Sequence, residues 1–364
     1  MIYDFIVTGG GPTGIVSFYY LKKLNYKVLL VDKKNLDDLV DYPLSLSIES
    51  KKILKNIGLW SDNLEVASIQ NIKVLNSDKF GSINIDHNEI GLPAFGSVLS
   101  NKSFLSFLQT SMINEYGNQF IEDFVVKVSE NSELVEVDTK NGRSLKSKFL
   151  INCTGDTNIN KSINFFEGDE FNIFTGFCSK KIYENTVVQW FDKNGILGVI
   201  PNRNKSDFIF SAPIHINKQT TVKKNIEKKI AKLNDKNIEI EITQKFKLKS
   251  KFLDSNFIGK ILHIGKSSHV LPPIAAQGLN LALRDIKYMN ILFKNDCQFK
   301  DIQILNKKYN SLRRFDRKQT KFLFFLLSKS NNSFFNSIFN FGFVFVGSLQ
   351  KIKKKLFITL IFGN

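Results

Sequence analysis

Between Tyr3 and Asp32 the sequence leaves the backbone little choice. Tyr3-Asp4-Phe5-Ile6-Val7-Thr8 reads as a short apolar strand, and Gly9-Gly10-Gly11-Pro12-Thr13-Gly14 follows at once. A helical segment runs through Leu24, and a second strand from Lys27 to Val31 ends at Asp32. Strand, glycine turn, helix, strand and acid form the context that a dinucleotide fingerprint requires. Gly9 permits the tight turn, Gly11 lets a pyrophosphate reach the backbone, and Gly14 packs the helix on the sheet. Pro12 and Thr13 open the helix. Asp32 lies close to the roughly 20-residue offset expected for a ribose-binding acid. Phe18 is the misfit, a bulky residue one helical turn after Gly14 where helix–sheet packing favours a small one.

A second informative stretch lies far downstream. His263-Ile264-Gly265-Lys266-Ser267-Ser268-His269 leads into Val270-Leu271-Pro272-Pro273-Ile274-Ala275-Ala276-Gln277-Gly278-Leu279-Asn280. The order predicts a strand from Ile261 to Gly265, a loop stiffened by two prolines, and a helix opening near Gly278. Ala275, Ala276 and Gly278 strip away side chains, so a flat ligand has access to the backbone. The first amides of the helix would face that ligand with partial positive charge. An ordinary strand–turn–helix joint has the same local pattern.

Between these stretches the pattern alternates. A helix ending at Asn56-Ile57-Gly58-Leu59-Trp60 is followed by strand-like residues from about 66 to 98. Another helix carries Phe104, Leu105, Phe107, Leu108 and Met112, and strands are predicted at 123–129, 133–139 and 149–152. Residues 165–250 then change character. Strands near 172–179, 186–191, 196–201 and 207–213, with a turn at Asp192-Lys193-Asn194-Gly195, predict an antiparallel sheet. A helix from Val222 to Leu233 and one more strand precede the two prolines. The expected partition is a discontinuous nucleotide domain (1–70, 99–164 and 251–304), a substrate domain (71–98 and 165–250) and a helical region (305–364).

The chain has 364 residues and a formal charge of +17. Without a zinc-finger spacing, an RNP-like stretch or an arginine-rich glycine tail, nucleic acid is not an expected partner. Basic charge also suits an anionic membrane surface. Cys153, Cys178 and Cys297 have no paired spacing, which fits a reducing compartment. Met1 leads straight into a strand and a glycine loop, so no signal peptide is expected. The tail carries Phe322, Phe324, Phe325, Phe334, Phe335, Phe339, Phe341, Phe343 and Phe345 among Lys351, Lys353, Lys354 and Lys355. It reads either as a helical cap on the core or as an interfacial membrane contact. The expected location is cytoplasmic, with the tail on the inner face of the cytoplasmic membrane.

Taken together, these stretches resemble the FAD-dependent aromatic hydroxylases (class A flavoprotein monooxygenases), most closely the ubiquinone-biosynthesis hydroxylases. The resemblance rests on the fingerprint with Asp32, on Ser45 to Trp60, and on Gly265, His269, Pro272, Pro273, Gln277, Gly278, Leu279, Asn280, Leu281 and Asp285. It implies an α/β fold with a Rossmann-like FAD-binding domain of the para-hydroxybenzoate hydroxylase type. An inserted, mostly antiparallel substrate sheet and a C-terminal helical segment complete that fold. It implies that Pro273 lines the reaction face of the flavin, that the backbone amides around Gln277 to Asn280 face its pyrimidine edge, that Ala276 belongs to the cofactor site, and that Gly155 and Asp156 stand at the family's middle motif. Three departures stand out. Lys266 replaces the family's Asp or Asn, Gly155-Asp156 reverses the usual order with no arginine after it, and Tyr42 stands where an arginine is common.

The implied chemistry is ring hydroxylation with FAD as cofactor and NAD(P)H and O2 as co-substrates, through a C4a-hydroperoxyflavin. The flavin carries that chemistry, so no catalytic triad or metal set is needed. The implied substrate is a small aromatic or polyprenylated phenol, with a membrane surface and a quinone-biosynthesis complex as partners. Two other readings stay open at this level, a flavin-dependent isoprenoid reductase or epoxidase, and a catalytically degenerate scaffold. His269 reads as structural rather than as an acid or base.

Overall fold

The computed structural model describes the chain except residues 34–40, 65, 77–81, 156–164, 193, 234–237, 273–276, 295–301, 329–348 and 363–364, and the side chains of 322–328. Eight described helices recur below: α1 (Pro12–Lys23), α2 (Ile48–Asn56), α3 (Asn101–Tyr116), α4 (Gln219–Leu233), α5 (Gln277–Lys294), α6 (Ile302–Leu312), α7 (Arg314–Ser328) and α8 (Gln350–Phe362).

The first sheet runs in the order Phe257–Ile258, Ile261–His263, Ser144–Asn152, Ile2–Thr8, Val28–Asp32, Phe120–Glu122. Strand Ile2–Thr8 lies parallel between Ser144–Asn152 and Val28–Asp32. Its Phe5, Ile6 and Val7 are fully buried, as expected of a parallel strand covered on both faces. On one face α1 and α5 pack Ile15, Val16, Leu283 and Ile286 into the core with Phe5 and Val7. On the other, the hairpin Val125–Glu130 and Val135–Thr139 covers Ile6, Leu29 and Leu150.

The sheet explains Phe18. Gly14 makes the close contact with the sheet's turn, because a Cβ there would overlap the Gly9 carbonyl oxygen. Phe18 turns away, with its ring edge-on to Tyr116 of α3 at 5.4 Å. The small residue is needed only where backbone meets backbone.

A second sheet of eight strands runs His269–Val270, Ile240–Leu253, Phe165–Cys178, Ser206–Pro213, Gly195–Pro201, Thr186–Asp192, Asn71–Asn76, Ser82–Asp86. All its pairings are antiparallel except Thr186–Asp192 with Asn71–Asn76. It is the mostly antiparallel insertion expected from the turn pattern. Strand Phe165–Cys178 starts earlier than expected, because its polar first half finds partners along the equally long Ile240–Leu253. A three-stranded sheet of Pro43–Ser47, Gly96–Ser100 and Ala67–Ile69 lies apart from both.

The C-terminal helices dock through buried charge. Asp316 of α7 accepts from Arg284 Nε of α5 at 3.2 Å and from the Tyr288 hydroxyl at 2.9 Å. Arg284 Nη1 also donates to the carbonyls of Leu360 and Ile361, at 3.2 and 3.3 Å, in the last turn of α8. A guanidinium there satisfies carbonyls that the helix end leaves open. The Phe-rich segment 334–345 lies outside the described residues.

Candidate functional site

At the carboxyl ends of the parallel strands, three loops meet. Gly9 turns with φ +98°, and a Cβ on it would stand 2.8 Å from the Cys153 carbonyl group and 2.9 Å from the Thr154 nitrogen. Only glycine serves at such a turn against another backbone. Gly265 adopts φ +71° and meets Thr13, whose Oγ1 would lie 2.9 Å from an added Cβ. Gly155 faces the Lys266 side chain, with 3.2 Å between Lys266 Cβ and an added Cβ. The fingerprint, the middle motif and the start of the Pro-Pro loop are thus packed together. The strand expected to reach Gly265 ends at His263, since the left-handed backbone at Gly265 opens a short 3-10 turn over Gly265–Ser267.

Asn152 fixes these loops from below, and sequence reasoning did not single it out. Its Oδ1 accepts from the Thr154 amide at 3.1 Å and the Thr154 hydroxyl at 2.9 Å. Its carbonyl accepts from Ser267 Oγ, and its Nδ2 faces His263 Nδ1 at 3.3 Å. Burial pushes His263 down to about 4, so the ring is neutral at physiological pH. It also pushes the Cys153 thiol up to about 12, which leaves an inert packing group under the glycine turn.

Above this base the fingerprint is open. Gly11 is the N-cap of α1, with φ −73° and ψ 177°, and Pro12 follows within the first turn. A Cβ on Gly11 would meet nothing within 4 Å. Asp32 ends its strand with its carboxylate over Gly10, where an added Cβ would stand 2.6 Å from Oδ2. Beside them a small, partly open pocket is lined by Gly10, Ile15, Leu30, Asp32, Gln109, Met112, Ile113 and Phe120. Gln109 of α3 leans on the Gly10 carbonyl at 3.5 Å, and its Oε1 is buried without a hydrogen-bond partner. Neither Gln109 nor the short strand Phe120–Glu122 carried a sequence signal, because one side chain on a helix and three residues of strand have no periodicity to read.

The other half of the site is the amino end of α5. The described part of this helix runs from Gln277, and Gly278 is exposed, with nothing among the described residues within 4 Å of an added Cβ. Pro272 and Gln277 are buried, and Leu279 is half-buried. Asn280 uses its side chain as a brace. Its Oδ1 accepts from the Ser47 amide at 2.9 Å and from Ser50 Oγ at 2.6 Å, and its Nδ2 donates to the Ser45 carbonyl at 3.1 Å. What it can offer a ligand is backbone. His269 closes the loop from behind, with Nε2 at 3.0 Å from the Gly278 carbonyl and Nδ1 at 3.1 Å from Ser268 Oγ. Burial lowers its pKa, so it is a neutral strut. Lys266 is exposed at the rim. Asp156, Pro273 and Ala276 lie outside the described residues.

The glycine turn at the start of α1 and the Asp32 carboxylate beside it have the form of a dinucleotide site on an α/β fold. The residues fit FAD, since among the described residues nothing stands within 4 Å of an added Cβ at Gly11 or at Gly278, which leaves the backbone at both places open to contact. Comparison with known proteins agrees. Residues 3–294 match the family described as FAD binding domain. The chain belongs to that family, whose cofactor is FAD.

The fold is that of p-nitrophenol 4-monooxygenase PnpA from Pseudomonas putida, at 13% identity and TM-score 0.77, covering 100% of this chain and 99% of that one. The flavin-dependent brominase Bmp2 superposes with TM-score 0.78 at 15% identity, over 100% of this chain and 94% of its own. In sequence, an uncharacterized protein of Synechocystis is 20% identical over 309 residues, 78% of this chain and 73% of the relative. Among the described residues no helix is long and apolar enough to cross a membrane.

Proposed function

We propose that the chain hydroxylates a polyprenylated phenol of the ubiquinone-biosynthesis type, using NAD(P)H and O2. The observation that carries the reading is the convergence of Gly9, Thr13, Asp32, Gly155 and Gly265 with the amino end of α5 at one edge of the parallel sheet. In this reading Gly9, Gly11, Pro12, Thr13 and Gly14 hold the diphosphate and Asp32 accepts from the ribose hydroxyls. Gly155, Asp156, Gly265, Lys266 and Pro272 frame the ring-bearing half, and Pro273 lines the reaction face with Ala276 beside it.

Bound FAD supplies the redox chemistry by which O2 is activated for insertion into a ring. The protein's part is placement and electrostatics. Amides of Gln277, Gly278, Leu279 and Asn280 present fixed positive dipoles where negative charge develops on the ring system. The buried apolar faces of α1 and α5 keep water from the sheet beneath.

The membrane part of the reading rests on α8. Phe357 and Ile361 of this helix are buried, while Ile352, Leu356 and Ile358 are 41, 39 and 42% exposed and share the helix with exposed Lys351 and Lys355. Apolar residues interleaved with lysines suit an anionic bilayer surface. Lys351→Glu with Lys355→Glu should release the protein from anionic vesicles, and unchanged binding would remove this part. The central test is the absorbance of the purified protein at the flavin bands, followed by turnover under isotopically labelled O2. Label in the product supports hydroxylation, and a reduced product without label points to an isoprenoid reductase. A colourless protein that takes up no added FAD would leave only a scaffold.

A further inference from the structure

The central strands of the second sheet show two different faces, as alternation requires. One face carries Phe174, Val188, Leu197 and Phe208 into a core with Val222 and Ile226 of α4. The other face holds the intervening residues, of which Val187, Ile200 and Ile209 pack toward Phe95, Val98 and Phe357. In the strand register one row of this second face runs Thr175, Ile209, Gly198, Gln189.

Two members of the row are unfinished. Gly198 is buried in mid-strand, yet among the described residues a Cβ on it would meet only the Ile209 carbonyl oxygen, at 3.7 Å. The other glycines of these strands are explained by packing: a Cβ on Gly176 would overlap the Glu241 carbonyl, and one on Gly195 the Ser211 carbonyl. Protein interiors are close-packed, and glycine inside a strand is unfavourable unless something else approaches the backbone. Thr175 is 3% exposed, and among the described residues its Oγ1 has no hydrogen-bond partner. A buried hydroxyl left unpaired is disfavoured enough that its position calls for an explanation.

The row is joined to the flavin end of the molecule. Thr175 pairs with Gln244 in the neighbouring strand, and Gln244 Nε2 donates to the Asp41 carbonyl at 3.2 Å. Asp41 stands just before strand Pro43–Ser47, which Asn280 of α5 braces at Ser45 and Ser47. Charge on this face is one-sided. Among the described residues, Phe171 to Phe177, Val187 to Phe191, Ile196 to Ile200 and Asp207 to Pro213 contain no lysine or arginine. Asp207 lies on this face, and burial raises its pKa. Lys205 reaches the end of the face but sits over the Phe177 ring, 3.4 Å from its centroid, and within the influence of Asp207.

We propose that this row is the substrate's seat and that it selects an uncharged aromatic ring. The ring lies against Gly198 and Ile209, and its hydroxyl or carbonyl bonds to Thr175 Oγ1. An aromatic carboxylate would lose its hydration over strands that, among the described residues, bring no lysine or arginine to the row, Lys205 lying at the far end beside Asp207. The inference rests on the monooxygenase reading for the identity of the ligand, and its own content is the seat and the charge preference.

The test titrates the FAD-containing protein with para-propylphenol and with para-hydroxybenzoate, read by calorimetry and by the flavin absorbance. The phenol should bind saturably and the benzoate should not. Thr175→Val should weaken the phenol about tenfold, the loss of one buried hydrogen bond. Gly198→Val should abolish binding while the flavin spectrum is kept, and Gly198→Ala, which the space admits without a clash, should weaken binding should the valine fail to fold. Equal or tighter binding of the benzoate, or unchanged affinity in the variants, overturns the proposal. A protein that holds no FAD but still binds the phenol in a manner sensitive to Thr175 and Gly198 would sink the flavin reading and leave the seat standing.

Discussion

Two glycines three positions apart should fail in opposite ways. A methyl group at Gly14 would overlap the Gly9 carbonyl oxygen and stand 3.5 Å from Cys153 Cβ. Helix α1 would have to back away from the sheet or the glycine turn would have to open. Overpacking of this kind costs about 1–3 kcal/mol, enough to lower the melting temperature of the FAD-free protein by several degrees. At Gly11 the backbone is already at φ −73° and ψ 177°, a conformation open to alanine, and an added Cβ meets nothing within 4 Å. Gly11→Ala should therefore leave the FAD-free protein as stable as before, or more stable by about 0.4–1 kcal/mol through the unfolded chain. Its methyl would instead stand where the diphosphate approaches. The same overpacking range then falls on binding, roughly 5- to 150-fold in affinity. Differential scanning fluorimetry without FAD and equilibrium titration with FAD separate the two effects. Gly11→Ala protein that retains FAD at the original affinity would refute the assignment of the diphosphate to this turn.

Other expectations follow from the same region. His263 takes up a proton near 6.5 when unfolded and only at about 4 when folded, so stability is complete above 6.5, falls as pH drops through this window and levels below it. His263→Gln should remove up to about 3 kcal/mol of that acid-side loss, and denaturant melts at pH 7 and pH 4 that show the same difference in both proteins would contradict it. Asn280→Ala should destabilise by about 1–3 kcal/mol, since it removes the partner of the buried Ser45 carbonyl and the half-buried Ser47 amide, with FAD affinity falling alongside; an unchanged urea midpoint would show the brace to be idle. Lys266→Asn should keep or tighten FAD retention on gel filtration, and release of FAD would show that the lysine has taken over a binding role.

The frame of the molecule was legible because it is written in runs. Tyr3 to Asp32 and Pro272 to Asn280 combine turn chemistry with apolar periodicity, and the hairpin-like turns of 186–213 announce an antiparallel sheet. The details that finish the site were not, because they arise from register. Nothing local tells that Asn152 ends a strand beside both Thr8 and His263, or that the side chain of Asn280 is spent on Ser45 and Ser47. Phe18 looked wrong by its distance from Gly14 and is right by its partner, Tyr116. Gly198 reads as one more glycine in an apolar strand until its neighbours show that packing does not require it.

The brace from Asn280 to Ser47 joins residues 233 positions apart. At ribosomal rates of about 5–20 residues per second, the amino-terminal half of the site waits on the order of ten to fifty seconds for its counterpart. The fingerprint emerges first and the amino end of α5 arrives after the entire second sheet has been made. Cofactor capture is thus a late event in the life of the chain. A shortage of FAD would meet a chain already folded around an open site, and its cost would appear as unsupported loops around Gly9 and Gly278 rather than as failure of the sheets.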